Sequence, residues 1–150
     1  MLKSVVPLAV ILTALCGCAL IVSSNAHLYP VAGPLSTQTP LPVFVLKLGP
    51  GLEIGVTLPS GEHLTGQRKY AVESIGLSGD PLALPAVWDE VFGSGYYVAR
   101  VLGKQAWRAE LSGDKGAALS VQYISDVHAD GIVLNGVARD GIGNVFKIAY

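Results

Sequence analysis

The strongest constraint on the fold is an alternation of apolar and polar residues, repeated in short segments from Leu41 to the end of the chain. Between Leu52 and Leu58, for example, every second residue is apolar. A period of two is typical of a strand with one buried face. Glycine and proline turn signals separate the segments and leave no room for crossover helices. The pattern therefore predicts an antiparallel sheet.

About seven such segments are expected to be strands, and a short helix is predicted from Pro85 to Phe92 by apolar residues four positions apart, with Gly93 to end it. Tyr96 to Leu102 fits either a strand or more helix, and we favour a strand. The predicted fold is mainly β, a small antiparallel meander barrel or sandwich with the helix covering one end. The expected strands are 41–48, 52–58, 63–72, 106–111, 117–124, 132–139 and 145–150.

The alternation also predicts which side chains face the core. In the first strand, Phe44, Leu46 and Leu48 share one face, and in the third Leu64, Tyr70 and Val72 do so. No cysteine follows Cys18, so the domain must be stabilised by its core rather than by a disulfide. The other residues expected in the core are Leu52, Ile54, Val56, Leu58, Trp107, Leu111, Leu119, Val121, Ile132, Leu134, Phe146 and Ile148.

The N-terminus has the layout of a secretory signal. One basic residue, Lys3, precedes an apolar run from Val5 to Cys16, which ends in small residues. The run before Gly17 is shorter than the about 20 residues that a spanning helix needs. The four residues Leu15-Cys16-Gly17-Cys18 resemble the lipobox of bacterial lipoproteins, with Cys at the second position where Ala, Ser or Thr is usual.

The lipobox resemblance implies that residues 1–17 are a signal peptide and that Cys18 becomes the acylated first residue of the mature protein. Lipid chains such as palmitate would then anchor the protein in a membrane. Ala19 after the cysteine implies the outer membrane, with the domain facing the periplasm. Two alternatives remain open: ordinary signal peptidase cutting after Ser24-Asn25-Ala26, or an uncleaved anchor extended by residues 19–22. A metal or redox pair of Cys16 and Cys18 is disfavoured, because no further Cys or His cluster accompanies it.

Residues 18–40 mix Ser, Thr and Pro without a period, and we interpret them as a lipidated tether that carries a β-domain of residues 41–150. We expect that domain to fold without the tether. The apolar residues of the stretch from His27 to Leu35 are candidates for packing on it. This stretch and Gly136–Asp140 resemble segments of small uncharacterised envelope lipoproteins, a resemblance that implies no activity.

Motifs for metal, nucleotide or acid–base chemistry are incomplete. Asp126, His128 and Asp130 have a spacing that could hold zinc or calcium, but they are too few ligands. Glu62-His63 could be an acid/base pair, yet its place in a turn favours a solvated interpretation. We therefore expect no metal and no cofactor.

Nucleophile and phosphate motifs are incomplete as well. Gly76-Leu77-Ser78-Gly79 lacks the final glycine of a nucleophile elbow, and Gly141-Ile142-Gly143 lacks the third glycine of a dinucleotide loop. The chain has 10 Lys and Arg against 11 Asp and Glu without a basic run, which argues against nucleic acid as a partner. The sequence thus predicts a protein that is not an enzyme.

The densest aromatic cluster is the candidate interaction patch: Trp88, Phe92, Tyr96 and Tyr97. Aromatic residues are enriched in recognition surfaces, but Trp88 and Phe92 could instead plug one end of the barrel. The favoured function is a non-enzymatic envelope lipoprotein with a structural or protein-interaction role. The alternatives are a carrier with an apolar cavity and a periplasmic hydrolase, in which His63 or His128 would meet a carboxylate and a nucleophile.

Overall fold

The chain folds into an antiparallel β-barrel with two short helices on its outer wall. The computed structural model describes residues 20–48, 51–72, 84–128 and 131–149. The helices are α1 (Leu84–Phe92) and α2 (Tyr96–Arg100). The strands are β1 (Leu20–Ala32), β2 (Leu41–Leu48), β3 (Gly51–Thr57), β4 (His63–Gln67), β5 (Lys69–Val72), β6 (Gln105–Gly113), β7 (Ala118–His128), β8 (Gly131–Asp140) and β9 (Val145–Ala149).

The barrel closes because β4 pairs with β6. The neighbours run in the order β4-β3-β2-β1-β9-β8-β7-β6, and the β4–β6 pairing joins the two ends into a ring of 8 strands. Strand β5 continues the path of β4 after Arg68 and stays paired with β6. The prediction of a mainly β antiparallel fold is confirmed, and the architecture is a barrel rather than a sandwich.

The barrel interior is a single hydrophobic core. Alternate residues of the ring point inward, and the largest of them, including Tyr123, Phe146 and Leu28, are fully buried. Most predicted core residues lie there, with Leu52, Leu58 and Trp107 partly buried at its margins. Five other predicted core side chains lie outside the described part of the chain: Leu46, Leu48, Val72, Ile132 and Leu134. The buried members of this core are Ala26, Leu28, Leu41, Val43, Val45, Ile54, Val56, Leu64, Ala109, Leu111, Leu119, Val121, Tyr123, Ala138, Phe146 and Ile148.

One predicted inward residue faces the other way, and a second is on the predicted face but exposed. In β2 the buried positions are Leu41, Val43 and Val45, so Phe44 lies on the outer face. Its ring covers Gly55, where no side chain stands in the way. Both faces of β2 are apolar, so alternation alone could not choose between them. Tyr70 pairs with Trp107 and shares its face, as predicted, but it is 50% exposed near the end of β5.

The largest difference from the sequence prediction is β1, which lies within the predicted tether. It pairs with both β2 and β9, and its Ala26 and Leu28 are buried in the core. The pairing register shifts between Ser23 and His27 and again near Pro30. Such bulges interrupt the period of two, so the sequence does not display the alternation by which the other strands were predicted.

The helix α1 is confirmed, whereas the strand predicted at Tyr96 to Leu102 is wrong. Gly93 and Gly95 adopt positive φ angles of 105° and 80°, which turn the chain sharply after α1 so that α2 begins at Tyr96. Both helices pack on the outer wall formed by β8 and β9 rather than over an end of the barrel. The expectation that Trp88 and Phe92 plug a barrel end is therefore wrong as well.

Candidate interaction surfaces

A second hydrophobic cluster joins the helices to the barrel wall. Residues of β8 and β9 that point away from the barrel interior meet the inner faces of α1 and α2. Trp88 is fully buried and Tyr97 is 7% exposed, so these two members of the predicted patch belong to a core rather than to a surface. The buried members of this cluster are Leu84, Val87, Trp88, Tyr97, Val101, Val137 and Val145.

One buried hydrogen bond orients α1 on the barrel. The indole Nε1 of Trp88 donates to the side-chain Oε1 of Gln122 at 2.7 Å. Gln122 points outward from β7 and is fully buried beneath the helix. Within the described ranges, its Nε2 has no hydrogen-bond partner. The bond therefore fixes Trp88 in the barrel wall. Without it, Oε1 of Gln122 would be buried and unpaired, which would lower the stability of the fold.

Three aromatic rings stack outward from this point. The ring centroids of Trp88 and Phe92 are 5.3 Å apart, and those of Phe92 and Tyr96 are 4.6 Å apart. Phe92 and Tyr96 are half-buried, and Nζ of Lys147 lies 5.1 Å from the Phe92 ring centroid. Val98 on α2 is 64% exposed. The surface part of the predicted patch is therefore Phe92 and Tyr96, and we call these two residues the helix patch.

Asp89 holds α2 in place. Its Oδ1 accepts a hydrogen bond from the backbone N–H of Tyr97 at 2.8 Å, and its Oδ2 accepts one from Gly95 at 3.0 Å. These backbone donors, Tyr97 first, hold the pKa of Asp89 below its ordinary value of 3.8. The carboxylate thereby fixes the turn that presents Tyr96 beside Phe92.

The two ends of the barrel differ in their chemistry. Because neighbouring strands are antiparallel, β1 and β6 begin at the same end at which β5 and β9 finish. We call this end the N-terminal rim. The connections 33–40, 58–62, 114–117 and 141–144 lie at the other end, which we call the opposite rim.

Glu62 ties two connections of the opposite rim together. Its Oε1 accepts hydrogen bonds from the backbone N–H groups of Lys115 at 2.8 Å and Ala117 at 3.1 Å. The side chain is 5% exposed, so the solvated interpretation of Glu62 is wrong. His63 is exposed, and its Nδ1 lies 2.9 Å from Oγ1 of Thr57. The two residues have different partners, which argues against an acid/base pair.

Asn144 fastens residues 33–40 to the same rim. Its Oδ1 accepts a hydrogen bond of 2.7 Å from the backbone N–H of Leu35, and its Nδ2 donates to Oδ2 of Asp140 at 2.6 Å. Asp140 also accepts from the N–H of Ile142 at 3.0 Å. Gly141-Ile142-Gly143 is therefore part of the β-turn that joins β8 to β9. A dinucleotide loop would instead connect a strand to a helix.

The N-terminal rim holds a cluster that sequence reasoning missed. Cζ of Arg68 lies 3.6 Å from the ring centroid of Trp107, and the rings of Trp107 and Tyr70 are 4.1 Å apart. Arg68 also bonds to the hydroxyl of Tyr123, whose pKa is raised by burial. The Tyr70 hydroxyl donates to Oε1 of Gln105. We call Arg68, Tyr70 and Trp107 the rim cluster. The sequence did contain one signal: Arg68 follows inward-facing Leu64 by four positions, so the alternation places this charged residue on the inner face.

A shallow groove of about 370 Å³ runs along the outside of the barrel near the rim cluster. Lys69 and Arg108, which face each other across β5 and β6, line it together with Glu110. Four of its five lining residues are polar or charged, and the groove is open to solvent, unlike the enclosed apolar pocket that a carrier would need. We therefore do not assign it to a small apolar ligand.

Several predicted site residues lie outside the described part of the chain. These are Cys16 and Cys18, the motif at residues 76–80, Asp130, and the side chains of Asp126 and His128. In the ranges that are described, no group of three or more His, Cys, Asp or Glu could hold a metal ion. Among the same residues, neither helix has the length and apolar character needed to cross a membrane. Comparison of the chain with protein families, curated proteins and solved structures found no match.

Proposed function

We propose that this protein is an envelope lipoprotein, anchored by lipid on Cys18, whose β-barrel is a non-enzymatic module for structure or protein interaction. The outer membrane is the proposed location, because Ala19 follows the lipidated cysteine. The barrel would face the periplasm. The observation that carries the proposal is where β1 begins relative to the competing cleavage sites.

Cleavage before Cys18 leaves β1 whole, since the strand begins at Leu20. Cleavage after Ala26 would instead remove the half of β1 that pairs with Phe44–Lys47 of β2, together with the buried side chain of Ala26. An uncleaved apolar helix through residues 19–22 would compete with the same pairing, because Leu20, Ile21 and Val22 are already strand residues. The position of β1 thus supports lipoprotein processing over both alternatives.

The packing of the barrel supports an interaction module rather than a carrier. Large side chains such as Tyr123 and Phe146 fill the interior, where a carrier would hold its ligand. The helix patch supplies an aromatic surface on a rigid support, because Trp88 and Asp89 fix the two helices that bear it. An envelope protein is the proposed partner of this patch.

The anchor is tested by growing cells with a fatty-acid analogue and following its incorporation. We expect the wild type to carry the tag, and Cys18→Ala to lose it and accumulate as unprocessed precursor. Cys16→Ala is the matched control, because it keeps the acylated position and places a usual lipobox residue beside it; it should be tagged like the wild type. Incorporation into Cys18→Ala would contradict the proposal.

The interaction role is tested by photo-crosslinking in intact cells. A photoreactive amino acid at Tyr96 should give a discrete crosslinked product, because this ring lies at the edge of the helix patch. The control position is Ile142, which is 75% exposed on the opposite rim. Equal products from both positions, or none from Tyr96, would count against the patch as a docking surface.

A further inference from the structure

We propose that the N-terminal rim rests on the membrane surface and that the rim cluster contacts phospholipid headgroups. This inference rests on the proposed lipid at Cys18, and it adds an orientation and a contact surface to that proposal. The partner is the headgroup layer of the membrane that holds the anchor. Three observations carry it: where β1 begins, the chemistry of the rim cluster, and the difference between the two rims.

The chain leaves almost no distance between the lipidated residue and the barrel. Cys18 precedes Leu20, the first residue of β1, by two positions, which span at most about 7 Å when fully extended. Leu20 pairs with Lys47, Lys47 pairs with Leu52, and the carbonyl of Leu52 accepts a hydrogen bond of 3.2 Å from the N–H of Arg68. The anchor and the rim cluster are therefore on the same end of the barrel.

The rim cluster has the composition of a headgroup contact. Tryptophan and tyrosine are enriched at membrane interfaces, since their rings are apolar and their N–H and O–H groups can be hydrated. Arginine forms bidentate hydrogen bonds with phosphate. Among the described residues, the partners of Arg68 are the Trp107 ring and the Tyr123 hydroxyl, and neither neutralises its charge. A phosphate group would supply the missing negative charge.

The opposite rim lacks these features in its described residues. Glu62 binds backbone N–H groups of the 114–117 connection, Asp140 binds those of its own turn, and exposed Asp114 lies beside exposed Lys115. At the N-terminal rim, Lys69 lies exposed beside the rim cluster. Basic residues near an anionic lipid surface are attracted to it, so Arg68 and Lys69 would favour contact of the N-terminal rim with such a surface.

A matched pair of lysines tests the orientation. Lys69 and Lys115 are both exposed, the first at the N-terminal rim and the second at the opposite rim. Lys69→Cys and Lys115→Cys are labelled with a fluorophore in the lipidated mature protein, whose own cysteine is acylated. The proteins are then reconstituted into vesicles of phosphatidylcholine and phosphatidylglycerol that contain brominated phosphatidylcholine, a quencher of the fluorophore.

We expect the brominated lipid to quench the label at Lys69→Cys. The label at Lys115→Cys should keep its full emission. A second measurement uses the indoles: in Trp88→Phe only Trp107 emits, and it should be quenched, whereas Trp88 in Trp107→Phe should not. Quenching at Lys115→Cys, or at neither position, would overturn the proposal. Mass spectrometry and vesicle flotation are done first, because absence of lipid on Cys18 refutes the proposed anchor, whereas an anchored protein with unquenched labels refutes only the orientation.

Discussion

Trp88 and Gln122 join the helical layer to the barrel through a hydrogen bond of 2.7 Å between two fully buried side chains. The bond explains why Trp88, for which the sequence suggested either an interaction patch or a plug at one end of the barrel, is instead part of the wall. It also leaves Nε2 of Gln122 without a partner among the described residues. If the indole were lost, Oε1 and Nε2 of Gln122 would both be buried without a hydrogen-bond partner among the described residues.

Removing that indole should destabilise the protein. Trp88→Phe retains an aromatic ring but leaves the Gln122 amide buried without its donor, so we expect the free energy of unfolding to fall by about 1–3 kcal/mol. Trp88→Ala also leaves a cavity and should cost about 3–5 kcal/mol. Urea denaturation measures both. Adding Gln122→Met to Trp88→Phe should recover part of the loss, and a double mutant with additive losses would contradict the role of the bond.

Asp89 should make stability depend on acidity. Its folded-state pKa is below 3.8, because the N–H groups of Tyr97 and Gly95 favour the carboxylate. The stabilisation is therefore present above the unfolded-state pKa and is lost as the pH falls through the lower folded-state value. Asp89→Asn should be less stable than the wild type near neutral pH, and this difference should shrink in acid. A difference that is constant with pH would exclude the carboxylate charge as its source.

Glu62 should contribute to stability through the connection it binds rather than through chemistry. Glu62→Ala removes two part-buried hydrogen bonds from the N–H groups of Lys115 and Ala117 to a charged acceptor, and we expect a loss of about 1–3 kcal/mol in the free energy of unfolding. Glu62→Gln keeps one carbonyl-type oxygen and should lose less. Thermal denaturation of both variants checks the order, and equal losses would show that charge, not the acceptor oxygen, matters.

How much of this fold could be predicted depended on whether alternation was preserved. Residues 52–58 keep a strict period of two, and β3 lies there. The bulges of β1 break that period, so the strand was taken for a tether. The start of α2 depends on hydrogen bonds from the N–H groups of Gly95 and Tyr97 to Asp89. These contacts leave no periodic pattern in the sequence from which the helix could be predicted.

The candidate sites were harder to predict, because packing on the outer wall has no local signal. Gln122 alternates with inward-facing Val121 and Tyr123 and therefore looks like a surface residue in the sequence, yet α1 buries it. The same helix turns Trp88 into a core residue. Arg68 was overlooked because its aromatic neighbours, Trp107 and Tyr123, are distant in sequence and meet it only when β4 and β6 close the barrel.

The strand β1 should be essential for folding, contrary to our sequence-based expectation for residues 41–150. A chain that begins at Pro40 lacks the strand between β2 and β9 and the buried Ala26 and Leu28. We expect it to show no cooperative unfolding transition, since domains are stable by only about 5–15 kcal/mol. A chain that begins at Ala19 should unfold cooperatively in circular dichroism. Equal thermal midpoints for the two chains would show that β1 is dispensable.

The most direct test of the proposed processing is the N-terminus of the mature protein, determined by mass spectrometry after extraction from the cell envelope. We expect Cys18 as the first residue, carrying diacylglycerol on its sulfur, followed by the intact strand from Leu20. An unmodified N-terminus at His27, which would place the cut inside β1, or an intact chain from Met1 would contradict the proposal.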